Sequence, residues 1–297
     1  MEAMPRRTNW KNYLSIAILI LTFGLFTYFF ITNPEIVKEI RNIDAKTLTM
    51  LLILYFLFIG TLALVNSASV KLCKTTINYS ENLLLTMYSS VINFFGPLQS
   101  GPAFRAIYLN KKHSIKIKDY ASASLLYYIF YGIFSLLLLF SGYINHWFLL
   151  IILILAIFIL IIVKSDNQYS KGIKSLNLSS WYLMAIATIL QILLLIIIFG
   201  IELKTIDPSI TLDQILIYTG AANLALFVSI TPGAIGFREF FLVSTQRLHG
   251  IDNATIVAAN TIDRAVYIIL LAILALIITA FHAKSRLGVD KLNKILN

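Results

Sequence analysis

The chain has 297 residues, 59% of them hydrophobic and only 13% charged, with a formal net charge of +10 and a mean hydropathy of +0.83. That balance belongs to a polytopic membrane protein and excludes a soluble globule or a sizeable aqueous domain. A spanning helix takes about 20 apolar residues, so there is room for roughly six to eight spans, and the basic residues sit in the short loops between apolar runs, where they set orientation and meet anionic headgroups instead of nucleic acid.

Arg6, Arg7 and Lys11 precede an apolar run from Tyr13 to Ile31, too long for a signal-peptide core and without a small-x-small cleavage site. It is expected to be an uncleaved first span. Asn33-Pro34 ends it, and a mixed-charge linker with Glu35, Lys38, Glu39, Arg41, Asp44 and Lys46 follows. The second span is expected over Leu48–Val65, closing at Lys71 and Lys74. Leu83–Phe95 is short for a span and runs into Gly96-Pro97-Leu98-Gln99-Ser100-Gly101-Pro102-Ala103-Phe104-Arg105, after which Lys111, Lys112, Lys116 and Lys118 make the most basic loop. Further spans are expected over Ala121–Phe140, Trp147–Val163 and Trp181–Gly200. Glu202, Lys204, Asp207, Pro208 and Asp213 read as a mostly acidic loop.

Ile215–Ile230 leads to a second break, Thr231-Pro232-Gly233-Ala234-Ile235-Gly236-Phe237-Arg238-Glu239. The last apolar run, Ala254–Phe281, carries Asp263 and Arg264 near its start and ends in a basic tail. Backbone broken by Pro and Gly is tolerated at membrane depth only where protein buries it or it lines a wet cavity. Both breaks therefore read as tips of re-entrant hairpins, the alternative being ordinary loops that cap helices at the surface. If both segments crossed fully, the loop Arg105–Lys118 and the segment Lys164–Lys174 would fall opposite the basic N-terminus, against the positive-inside rule. If each returns to its own side, six spans remain, most basic residues share one side, and both termini are cytoplasmic. The expected fold is thus all-α: about six spanning helices plus two hairpins, in a single transmembrane domain covering 1–297.

Two halves, roughly 48–163 and 181–283, share a pattern. Phe104-Arg105 matches Phe237-Arg238, His113-Ser-Ile115 matches His249-Gly-Ile251, and Ala123 and Tyr131 match Ala259 and Tyr267 in the same register. Inverted repeats whose interrupted segments meet near the midplane are a transporter signature; the alternative is coincidence among common apolar residues.

Arginine suits phosphate because its planar fork donates two parallel charge-assisted hydrogen bonds, and a helix start after a break adds free N–H groups. Arg105, Arg238 and Arg264 are the candidate phosphate ligands, with Gln99, Ser100 and Gly101 beside them and Gly96, Pro97, Thr231, Pro232, Gly233 and Gly236 forming the breaks. Glu239 and Asp263 would orient the arginines or take up protons. The competing reading of an arginine is snorkelling to the interface, and of Asn93, Asn223 or Thr231 it is interhelix hydrogen bonding. The four histidines and the single Cys73 make no metal-ligand spacing, and no nucleophile elbow or phosphate loop appears, so no metal, cofactor or direct ATP use is expected.

The stretch Thr231–Glu239, with Gly250-Ile251 and the alanine-bearing helix that carries Arg264, resembles a flippase-like integral membrane family that includes the transmembrane region of lysylphosphatidylglycerol synthase. Gly101…Arg105…Leu109 extends the resemblance into the first half. It implies a protein that moves or handles lipids in the cell membrane, with Pro232, Gly233, Gly236, Glu239, Arg264, Gly101 and Arg105 in the site. Where the family's first motif usually has an acidic residue after the glycine, Pro102-Ala103 stand here, so no acid-dependent step is expected at that hairpin. No soluble aminoacyl-transferase domain is expected after the basic tail. The function expected is a flippase for an anionic lipid, phospho- or polyprenyl-phosphate-linked, and not an enzyme. The alternatives are an integral-membrane lipid or glycan transferase and an accessory subunit of an envelope-lipid enzyme. Expected partners are lipids with anionic headgroups, with a second copy or an envelope-synthesis enzyme as protein partner.

Overall fold

Asp44 starts the first long helix: its carboxylate accepts the Thr47 amide at 2.9 Å and so satisfies one of the donors a helix N-terminus leaves open. The structure, a computed structural model, describes residues 31, 43–95, 100–143, 180–228 and 237–283. These are helical, with no strand among them. The helices are α1 (Ala45–Leu72), α2 (Tyr79–Phe95), α3 (Ser100–His113), α4 (Ile117–Leu139), α5 (Trp181–Ile206), α6 (Leu212–Val228), α7 (Phe237–Ser244), α8 (Gln246–His249) and α9 (Asn253–Ala283). The expected first span, apart from Ile31, and the expected span Trp147–Val163 lie outside the described residues, as do Gly96, Pro97, Gln99, Thr231, Pro232, Gly233 and Gly236.

Among the described residues, four helices are long and apolar enough to cross a membrane: α1, α4, α5 and α9. Outward stripes of large apolar side chains, such as Ile53, Leu57 and Leu64 on α1 and Ile186, Leu190, Leu193 and Ile197 on α5, are exposed. Helical spacing puts each set on one face, the surface a lipid-embedded bundle presents. The protein is an all-α, multi-pass membrane protein.

The expected end of the Trp181 helix at Gly200 is passed, and α5 runs on to Ile206. Leu203 and Glu202 turn inward there, 0% and 1% exposed, and Ile215 on α6 lies over Gly200. Packing thus holds as helix a stretch whose charges read as loop.

Two helical hairpins lie between these long helices and start from opposite ends of the bundle. In the first, α2 and α3 run antiparallel. Glu81 in the first turn of α2 meets His113 and Lys112 in the last turn of α3, at 2.7 and 3.0 Å, while at the other end the Gly101 amide donates to Asn93 Oδ1 at 3.2 Å. A buried polar network ties its base to the C-terminal half of α1 and the start of α4: Tyr120 Oη donates to Asn66 Oδ1 at 2.6 Å, and Asn66 donates to Asn82 Oδ1 at 2.6 Å. In the second hairpin, α7 and α8 fold back along α6, so that His249 packs edge-on against Tyr218, 5.8 Å between ring centres. Its base lies at the opposite end, where Ile217 meets Gly142 just after α4.

The returning arms end alike. Ser114 (φ 56°) and Gly250 (φ 68°) are both left-handed, and each is followed by a buried isoleucine, Ile115 and Ile251. Ala123 and Ala259 are both buried further on, and Tyr131 and Tyr267 both reach the same central cavity.

Candidate functional site: a cavity between two helical hairpins

The described arms of the two hairpins line a cavity of about 260 Å³. Gly101 allows the first tip to close. A Cβ there would lie 2.6 Å from the Ser89 carbonyl oxygen and 2.8 Å from Asn93 Cβ, nearer than carbon atoms pack. Arg105 is one turn on, on the same face of α3 as Gly101, and both line the cavity. Its charge lies near the phenols of Tyr120, Tyr127 and Tyr128, and among the described residues its buried Nε has no hydrogen-bond partner. Among the described residues no carboxylate comes within ion-pair distance of it.

The second tip contributes Arg238, 8% exposed, from the first turn of α7. Its Nη1 donates to Asp263 Oδ2 on α9, and its guanidinium lies over the Phe199 ring, 4.9 Å from the centroid. The ion pair and the ring face offset part of the cost of burying the charge. Among the described residues, Nε and Nη2 have no partner. The next residues along each helix also pair, Glu239 with Arg264, so two adjacent ion pairs clasp α7 to α9. Glu239, in the first turn of α7, also suits the positive end of the helix dipole.

Three further side chains complete the site. Asn223 on α6 is 0% exposed and lines the cavity, and among the described residues neither of its amide atoms has a hydrogen-bond partner. Tyr55 on α1 reaches both Asp263 Oδ1 and, at 3.2 Å, Oε1 of Glu202 on α5. Tyr127 donates to Gln191 Oε1 at 3.0 Å on the facing wall. Among the described residues no three His, Cys, Asp or Glu side chains converge as a metal site requires.

Of the residues singled out by sequence, Gly101, Arg105, Arg238, Asp263 and Arg264 come together on this wall. Ser100 turns into the hairpin and donates to the Ile92 carbonyl at 3.1 Å, and Glu239 is held by Arg264. Glu202 and Tyr55 were not anticipated. Glu202 reads as loop beside Lys204 and Asp207, and a lone tyrosine in an apolar helix has no distinguishing signal. One cue did exist: Gln191 and Glu202 are eleven residues apart, close to three helical turns, so they share a face of α5.

Outside the spans, at the base of the first hairpin, burial raises the Glu81 carboxyl. Hydrogen bonds from His113, Lys112 and Tyr108 outweigh that and hold it below its usual range. This cluster closes the hairpin away from the cavity.

No curated protein and no solved structure matches the chain. A family model does: that of the lysylphosphatidylglycerol synthase TM region matches residues 13–275, and the chain belongs to this family of lipid-related membrane proteins.

Proposed function

We propose that the chain moves an anionic lipid between membrane leaflets, holding the headgroup phosphate in the central cavity. The observation that carries this reading is the convergence on one cavity of donors that have no partner among the described residues: Arg238 Nε and Nη2, Arg105 Nε and the Asn223 amide. Buried donors without partners are costly, at about 1–3 kcal/mol each, and a phosphate would satisfy several at once. The donors come from two hairpins that start at opposite ends of the bundle, with matched left-handed ends and matched tyrosines. That supports an inverted repeat whose halves alternate access to one site. In this reading both hairpins are re-entrant, the termini are cytoplasmic, and the plasma membrane is the site of action. A cavity of about 260 Å³ suits a headgroup, with the lipid tails left in the bilayer.

The test is lipid transfer in phosphatidylcholine vesicles containing the purified chain. Fluorescent phosphatidylglycerol or phosphatidylcholine is read by a membrane-impermeant quencher. The account expects the anionic lipid to cross faster than the zwitterionic one. Removing a charge-assisted contact of about 1.5–3 kcal/mol should slow it about tenfold or more in Arg105→Gln. Equal transfer of both lipids, unchanged in that variant, would overturn the reading. Conversion of the lipid to a new species would instead show a transferase.

A further inference from the structure

Tyr55 has one hydroxyl proton and lies within hydrogen-bonding reach of two carboxylates, Oδ1 of Asp263 and Oε1 of Glu202. Asp263 has Arg238 as its cation. Glu202 has no cation within ion-pair distance among the described residues and is 1% exposed. A buried carboxylate in that position takes up a proton sooner than it stays charged. With Glu202 protonated, every contact has a donor: Glu202 donates to the Tyr55 oxygen, Tyr55 donates to Asp263 Oδ1, and Arg238 donates to Asp263 Oδ2. The groups facing this row from the elements around it are Tyr218 on α6, Tyr131 on α4, Tyr267 and Arg264 on α9, and Glu239 on α7. Arg264 and Glu239 hold one another, and the tyrosines carry no charge at neutral pH.

The row runs inward from the cavity. Arg238, Asp263 and Tyr55 line the wall, and Glu202 is behind them. Arg238 gives Nη1 to Asp263 and keeps Nε and Nη2 for the cavity, so a phosphate bound there would draw the guanidinium away from Asp263. We propose that Asp263, Tyr55 and Glu202 form a proton-binding site that loads when an anionic headgroup takes Arg238, so that lipid movement is coupled to protons; this rests on the phosphate reading above. As the phosphate accepts from Arg238, Asp263 Oδ2 loses its donor. A charged Asp263 would then face the phosphate with no cation of its own, which like-charge proximity disfavours. A proton from the aqueous side of the cavity binds Asp263 Oδ2 while Oδ1 keeps its bond from Tyr55. When the headgroup leaves, Arg238 pairs with Asp263 again and that proton returns to water. No bond to the lipid forms or breaks, and one proton accompanies each headgroup. Glu202 is a positioning residue, keeping the Tyr55 hydroxyl aimed at Asp263.

The experiment adds short-chain dioctanoyl phosphatidylglycerol to the full chain in detergent. Binding is followed by tryptophan fluorescence, and proton exchange by an indicator dye in weakly buffered solution. Wild type should take up about one proton per lipid bound. Asp263→Asn should lose that uptake. Glu202→Gln, which keeps a donor for Tyr55, should move the pH midpoint of uptake, a shift that a purely structural role would not produce. Binding without proton uptake in wild type overturns the proton site and leaves the phosphate reading standing. Absence of binding overturns both.

Discussion

Gly101→Ala is the perturbation whose size follows most directly from the geometry. The added Cβ would lie 2.8 Å from Asn93 Cβ and 2.6 Å from the Ser89 carbonyl oxygen. The first distance is about 0.7–1.2 Å short of a carbon contact, and one of the two obstacles is backbone. The helices α2 and α3 must part there. Overpacking of this kind costs about 1–3 kcal/mol, and losing the Gly101–Asn93 hydrogen bond adds about 0.5–1.5 kcal/mol. The expected loss is therefore about 1.5–4.5 kcal/mol. Gly60, on α1, is the internal control, with nothing within 4 Å of its added Cβ. Gly60→Ala should gain about 0.5–1 kcal/mol from backbone entropy. Gly220→Ala should behave like Gly101→Ala, because its Cβ would overlap the Leu139 amide and lie 2.6 Å from the Ser135 carbonyl oxygen. Unfolding midpoints in a denaturing-detergent titration, followed by helical circular dichroism, rank the three. Equal stability of Gly101→Ala and wild type, or an equal loss in Gly60→Ala, would refute the close-approach argument.

Asn223→Leu should leave stability within about 1 kcal/mol of wild type, since no protein partner of its amide is lost. Its anionic-lipid affinity should nevertheless fall about tenfold, measured by titration with dioctanoyl phosphatidylglycerol. Glu81→Gln should loosen the base of the first hairpin. Because the folded carboxyl is held below its unfolded value of 4.5, its contribution is fully present above about pH 4.5 and is lost as pH falls through the lower folded value. The stability gap between wild type and Glu81→Gln should thus be constant at neutral pH and shrink in acid; a gap that widens in acid would contradict the bridge. With Cys73 replaced by serine, cysteines placed at Lys112 and Lys171 should both label only from the cytoplasmic side of cells. Labelling from opposite sides would contradict paired re-entrant hairpins.

The charged half of the site was legible in the sequence for a simple physical reason. Arg238, Asp263 and Arg264 lie in otherwise apolar runs, where a charge has to face a partner or a cavity. Arg105 carried the same signal more weakly, because basic loop residues follow it closely. What the sequence could not show is which arginine goes with which carboxylate. The pairing of Arg238 with Asp263 and of Glu239 with Arg264 depends on how α7 crosses α9, which no local pattern encodes. Glu202 was illegible for the opposite reason. Its neighbours in sequence are loop-like and charged, and only packing against α1 and α9 carries it inside. Asn223 reads as one polar residue in an apolar helix, and its lack of a protein partner is a property of the assembled cavity alone.

The central claim is that the cavity reads an anionic headgroup through Arg105 and Arg238. The most direct measurement is mass spectrometry of lipids that co-purify with the chain in mild detergent, comparing wild type with Arg105→Gln and Arg238→Lys. Arg105→Gln leaves no carboxylate unpaired, and Arg238→Lys keeps a charge for Asp263 while removing the planar fork. The account predicts one anionic lipid class enriched over the bulk membrane in wild type and depleted in both variants. Bulk membrane lipids in all three samples would contradict it.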